Sequence, residues 1–244
     1  MSRVTAVPAE TDLLCEGCGY VLNGLPADGR CPECGKPMAE SSPLRRSVPA
    51  WEAPQSALSR LISLFSTSAA VLFQPTHFYR TLAIRNDVRP AFIFAQIHWA
   101  ATSMLLGWAG FAHAAWVFRG DARTSFQFGP WVALSAVAWI ALLLTTLLAA
   151  RLTHWEASYR GIRLPLAVVR RGMYYHAAHY LPVALAAAAT VYAFRHAWLH
   201  HQANLSPKFM THYLYFLCGL VVLAAAYLFR TYWIGMRNMM YANR

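Results

Sequence analysis

The sequence predicts an all-α membrane domain, a four-span helical bundle with an interfacial amphipathic helix, behind a small N-terminal metal-binding head. Three observations carry this. The run Trp131 to Ala150 contains no charged residue; as a helix rising about 1.5 Å per residue it covers the roughly 30 Å of bilayer hydrocarbon. The chain of 244 residues is 57% hydrophobic and only 13% charged, against about 25% charged in soluble domains. Four of its five cysteines fall as two C-x-x-C pairs in one short stretch near the N-terminus.

Residues 1–12 are polar and are expected to be disordered, and MSRVTAVPAE lacks the apolar stretch of a cleaved signal peptide. The stretch LLCEGCGYVLNGLPADGRCPECGKP places Cys15 and Cys18 before a short loop, then Cys31 and Cys34. Two residues between thiolates let one tight turn present both to a single ion, and the glycine after each pair (Gly19, Gly35) permits the left-handed backbone that such a turn needs. Asp28-Gly29 marks a turn between two short strands. A small β zinc ribbon over 1–36 is the expectation, with Zn2+ held by Cys15, Cys18, Cys31 and Cys34. Two disulfides are the weaker alternative, because an untranslocated N-terminus meets a reducing cytoplasm. A rubredoxin-like iron site is weaker too, because the loop is short. The head has few apolar residues, so metal is expected to supply most of its folding energy.

Residues 37–56 carry Pro37, Pro43, Pro49 and Pro54 among serines, the composition of a flexible, semi-extended linker. The membrane domain then occupies 57–244. Over about 58–73, Leu58, Leu61, Ile62, Phe65, Ala69, Leu72 and Phe73 share one helical face, while Ser59, Arg60, Ser63, Ser66 and Thr67 share the other. That pattern predicts a helix lying in the membrane interface. Spans are expected at about 91–118, 131–150, 174–198 and 212–229. Pro182 should kink the third, and 151–172 should be a basic loop with a short helix entered at Pro165.

Charge sets orientation. Of 21 Lys and Arg residues, only Arg119, Arg123, Arg195 and Lys208 lie in the two loops opposite the termini. The positive-inside rule therefore puts both termini and the 151–172 loop in the cytoplasm. The net charge of +11 flanks the spans, which suits anionic lipid; nucleic acid is not an expected partner, because no basic stripe interleaved with aromatics is present.

Ten histidines raise the alternative of a small membrane oxidoreductase. His196, His200, His201 and His212 sit at the outer end and His154, His176 and His179 at the inner end, so one di-iron cluster cannot gather them. A two-haem arrangement would use His98, His113, His179 and His196, but the two spacings differ by about 160° of helical rotation. No Asp or Glu lies within a span, which disfavours a small transporter, and no nucleophile–base pair or phosphate loop is evident.

CEGCGYVLNGLPADGRCPECG resembles the N-terminal zinc ribbon of many bacterial membrane proteins. LFQPTHFYRTLAIRNDVRPAFIF and IRLPLAVVRRGMYYHAAHYLPVAL resemble, more weakly, the Yip family of multi-span membrane proteins, through Pro75, Phe78, Arg170, Tyr174, Tyr175 and Pro182. That resemblance implies a membrane scaffold or adaptor without a reaction, and usually five spans. The expectation is a non-enzymatic, multi-pass protein of the bacterial inner membrane, bound by membrane lipid. Its zinc-ribbon head would dock a protein partner, and a homo-oligomer stays open.

Overall fold

The structure is a computed structural model and describes residues 8–9, 11–53, 56–119, 127–201 and 208–243. The loops expected to face outward fall mostly on 120–126 and 202–207, which lie outside the described residues, as does Pro54. Helices dominate. Among the described residues no sheet forms, and β structure is confined to three isolated bridges: Leu14 with Val21, Arg30 with Pro37, and Ser47 with Leu82. The expected β ribbon is thus reduced to one bridge per cysteine pair. Pro26, Pro32 and Pro37 lack the N–H that a longer ladder would require.

The described residues form seven α-helices: α1 (Ala57–Phe73), α2 (Pro75–Thr81), α3 (Arg89–Arg119), α4 (Phe128–Tyr159), α5 (Leu166–His176), α6 (Tyr180–His201) and α7 (Phe209–Met239). Local chemistry sets several boundaries. The Ser56 side chain accepts from the Ser59 amide and opens α1, and Pro75 takes the first position of α2. α4 runs well past Ala150, beyond its expected end. An exposed Glu156–Arg160 pair at 2.6 Å supports the extra turns, and Gly161 at φ 71° ends them, with the Ile162 amide bonded to the Ala157 carbonyl. The expected 151–172 loop therefore shrinks to 160–165. α5 and α6 meet at a 3-10 turn, Ala177–His179. Pro182 accounts for it: it cannot donate to the Ala178 carbonyl, and its ring crowds that position.

Among the described residues three helices are long and apolar enough to cross a membrane: Phe128–Tyr159, the joined Leu166–His201, and Phe209–Met239. A fourth is reached if Ala57–Phe73 and Pro75–Thr81, bent by 113°, form one broken span. The expected first span, 91–118, lies in α3 but is not among these, because Gln96, His98, Thr102 and Ser103 dilute its apolar run. α3 carries many buried residues along its length, among them Phe94, His98, Trp99, Thr102, Ser103, Ala112 and Trp116. The candidate windows of α4 and α7 are only 6% buried and are the most apolar. Hydropathy follows exposure to lipid, so a helix enclosed by protein can be the more polar one.

The chain forms two compact units. The first combines Met1–Ala95, Thr146–Ala178 and Thr231–Arg244. There the segment expected as a flexible linker carries three 3-10 turns, Met38–Ser41, Pro43–Arg45 and Ala50–Glu52, with Ser41 fully buried. Glu52 pairs with Arg171 at 2.8 Å, both side chains 2% exposed, and accepts from the Tyr175 hydroxyl. Tyr175 stacks edge-on against Phe78 at 5.1 Å. α1 is turned inside out: Leu58, Ile62, Phe65 and Phe73 are exposed while Ser63 and Thr67 are buried. Thr67 accepts from the Trp51 amide at 3.2 Å, and Ser63, Ser66 and Ser68 donate to carbonyls of their own helix. Its polar face is satisfied inward and its apolar face looks out.

The second unit combines Gln96–Thr145 and His179–Arg230. α3 and α4 approach closely where Gly107 meets Ser135; a Cβ there would lie 2.1 Å from the serine oxygen. Trp139 Nε1 donates to Gln96 Oε1 at 3.1 Å and Trp131 Nε1 to the Met104 carbonyl at 3.0 Å. α7 is bonded to α3 by Tyr213 with His113 at 2.6 Å, and to the 3-10 turn before α6 by Tyr227 with His179 at 2.7 Å.

Candidate metal centre

Two turns of the same design build the site. In the first, the Cys15 amide bonds to the Tyr20 carbonyl at 2.8 Å and the Gly19 amide to the Cys15 carbonyl at 2.8 Å. In the second, the Cys31 amide bonds to Lys36 at 2.8 Å and the Gly35 amide to Cys31 at 2.9 Å. Gly19 and Gly35 adopt φ of 84° and 72°, conformations that suit glycine and strain other residues. Each turn so presents two sulfurs to the other.

All four Sγ atoms lie within 4.8 Å of one another. Cys15 and Cys34 are 3.5 Å apart, and Cys18 and Cys31 3.6 Å. Those separations are far beyond the roughly 2.05 Å of a disulfide. They are close to the edges, about 3.8 Å, of a tetrahedron with metal–sulfur bonds of about 2.3 Å. The four cysteines can therefore hold one metal ion. Cys15 and Cys31 are buried in the head core with Leu22 and Met38. Burial pushes the Cys31 thiol up, but the amides of Cys34 and Glu33 and the Cys18 thiol more than offset it, bringing it down to about 7. Cys18 is raised, chiefly by burial. Cys34 is also raised: its bond from the Lys36 amide pulls the other way, but the Cys15 thiol and burial outweigh it. Four thiolates this close repel unless a cation sits between them, which is the arrangement a divalent ion relieves. A metal ion held by all four thiolates would have no open coordination position.

Several residues that the spacing did not single out surround the first turn. Glu16, between Cys15 and Cys18, pairs with Arg46 at 2.9 Å, where the Arg46 side chain is 2% exposed. Arg46 also donates to the Leu82 carbonyl at 3.0 Å. Asn243 reaches the head from beyond α7: its Oδ1 accepts from the Leu14 amide at 2.9 Å, and its Nδ2 donates to the carbonyls of Leu14 and Ser41 at 2.7 and 2.8 Å. Arg163 donates to Asn243 Oδ1 at 3.2 Å and to the carbonyls of Ala9 and Asp12. The ring of Tyr241 lies on Gly19. An asparagine and an arginine so far along the chain carry no local signal for this role.

The histidines are placed otherwise. His154 bonds to the Leu164 carbonyl at 2.8 Å and His176 to Thr231 at 3.0 Å, beside the His113 and His179 pairs above. Among the described residues the four cysteines are the group of three or more metal-ligating side chains that comes together. The chain matches no family model, no curated protein and no solved structure, so the resemblances to zinc-ribbon membrane proteins and to the Yip family find no support. What stands is a membrane protein with a four-cysteine site able to hold a metal ion.

Proposed function

We propose that this chain is a non-enzymatic membrane protein of the bacterial inner membrane, in which zinc bound by Cys15, Cys18, Cys31 and Cys34 folds a ribbon-like head at the cytoplasmic face, and that the head serves as a scaffold for a protein partner. The observation that carries the reading is the sulfur geometry, with edges of 3.5 and 3.6 Å. All-thiolate tetrahedral sites on two C-x-x-C turns suit zinc.

Three further points support it. The N-terminal segment, the 160–165 loop and the C-terminal tail are bonded together through Arg163 and Asn243, as expected of segments on one side of a membrane. That favours an even number of spans, with α3, 31 residues long, as the fourth. α1 then lies in the interface, its exposed Leu58, Ile62 and Phe65 toward lipid. On the head, an open groove of about 710 Å3 is lined by Leu13, Leu22, Leu25 and Met38, a face of the kind a partner's apolar side chains fill.

The test is elemental analysis of the purified full chain. About one zinc per chain is expected. Cys31→Ser should lose it while helical content by circular dichroism stays near wild type. Full zinc in that variant, or a metal-free wild type purified without chelator, overturns the reading.

A further inference from the structure

We infer that Asn243, with Tyr241, is a metal-conditional latch: the chain beyond α7 is seated on the first cysteine turn when that turn is closed on metal, and it tightens metal binding in return. This rests on the zinc reading above. The Asn243 residue is 3% exposed, and its amide is fully used. Oδ1 accepts from the Leu14 amide and Arg163, and Nδ2 donates to the carbonyls of Leu14 and Ser41. Two acceptor and two donor positions are all that an asparagine side chain offers. The Asn243 amide N–H also donates to Glu16 Oε1 at 3.2 Å.

Leu14 is the residue before Cys15, and both of its backbone groups point at Asn243. Their orientation comes from the turn itself, through the Cys15–Tyr20 and Gly19–Cys15 bonds. Tyr241 covers Gly19, and a Cβ at Gly19 would lie 2.5 Å from its ring. The first turn is therefore the floor on which the tail rests. Among the described residues the buried cluster of the head is small: Cys15, Leu22, Cys31 and Met38, two of them metal ligands, with Leu14 buried beside the first turn. A core that small does not hold a turn closed without the ion. When the turn opens, a fully paired buried amide loses its Leu14 partners. Linkage makes the dependence mutual: whatever metal adds to seating of the tail, the seated tail adds to metal affinity, by a factor that is typically 5- to 150-fold.

The experiment uses the full chain in detergent micelles, with zinc content measured first. Hydrogen exchange of peptides covering residues 236–243 is compared before and after zinc is stripped by a chelator. Zinc retention against a graded competing chelator is then compared between wild type and Asn243→Asp, which keeps the shape of the side chain and its contact with Arg163 but removes both Nδ2 donors and sets a carboxylate oxygen against the Leu14 and Ser41 carbonyls. Faster exchange at 236–243 in the stripped protein, and zinc affinity weakened roughly 5- to 150-fold in the variant, are expected. A zinc-loaded wild type whose tail exchanges at the same rate after stripping overturns the latch, whatever the variant does. So does unchanged affinity in Asn243→Asp. A wild type that holds no metal sinks the zinc reading instead, a separate outcome.

Discussion

The two cysteine turns are close copies in backbone and differ in what they face. The first packs inward: Cys15 is fully buried, Glu16 pairs with buried Arg46, Leu14 is bonded to Asn243, and Gly19 lies under Tyr241. The second packs outward: Pro32, Glu33 and Cys34 are exposed, and nothing lies within 4 Å of where a Gly35 side chain would begin. One turn design therefore performs two tasks. The second supplies half of the ligands. The first supplies the other half and also fastens the head to the rest of its compact unit. The shared task of presenting two thiols accounts for their likeness, and neighbours far along the chain explain their difference.

The difference can be broken at graded strength. Glu16→Ala should be the most damaging of the following changes, because it leaves Arg46 buried without its carboxylate; removing one partner of a buried pair costs about 3–5 kcal/mol. The expected readout is a lower midpoint for thermal zinc release, with exchange at 238–243 accelerated. Next come the glycines. Gly35→Ala should cost about 1–2 kcal/mol, the usual strain of a side chain in left-handed backbone. Gly19→Ala should cost more, since its Cβ meets the Tyr241 ring as well. In a Tyr241→Ala background the two substitutions should cost about the same by chelator competition; a persistent gap would mean that the tyrosine is not what distinguishes the turns. Smallest is Glu33→Ala, an exposed change expected within about 0.5 kcal/mol of wild type in the same assay.

Legibility in the sequence follows how local each feature is. The cysteine spacing foretells the sulfur cluster because two residues between thiols fix a turn within a few bonds. Trp131 to Ala150 foretells α4 because a charge-free run of that length has few other fates. The far end of α4 was not legible: Arg151 and Glu156 read as loop by charge, yet both extend a helix readily once it leaves hydrocarbon. The pairing of Glu52 with Arg171 was hidden for a different reason, since a basic residue beside a span is first read as a topology signal. The α3 helix reads as an ordinary span, yet its polar residues mark it as the enclosed helix. The two faces of α1 were legible, but not which one turns outward, because that choice belongs to its surroundings. Residues 37–56 look like a tether by composition; the buried Ser41 and Arg46 show proline serving short 3-10 turns instead.

The bonds between Leu14 and Asn243 join residues 229 positions apart, and translation sets them apart in time as well. At about 5–20 residues per second, Asn243 is made roughly 10–50 s after Leu14. The cysteines are separated by only 19 positions from Cys15 to Cys34, so the turns can close on metal almost as soon as they emerge. On the zinc reading proposed above, the head is shaped before the helices that follow it are made, and a cell starved of zinc would meet the fault late, with those helices already in place when Asn243 finds no closed turn to rest on.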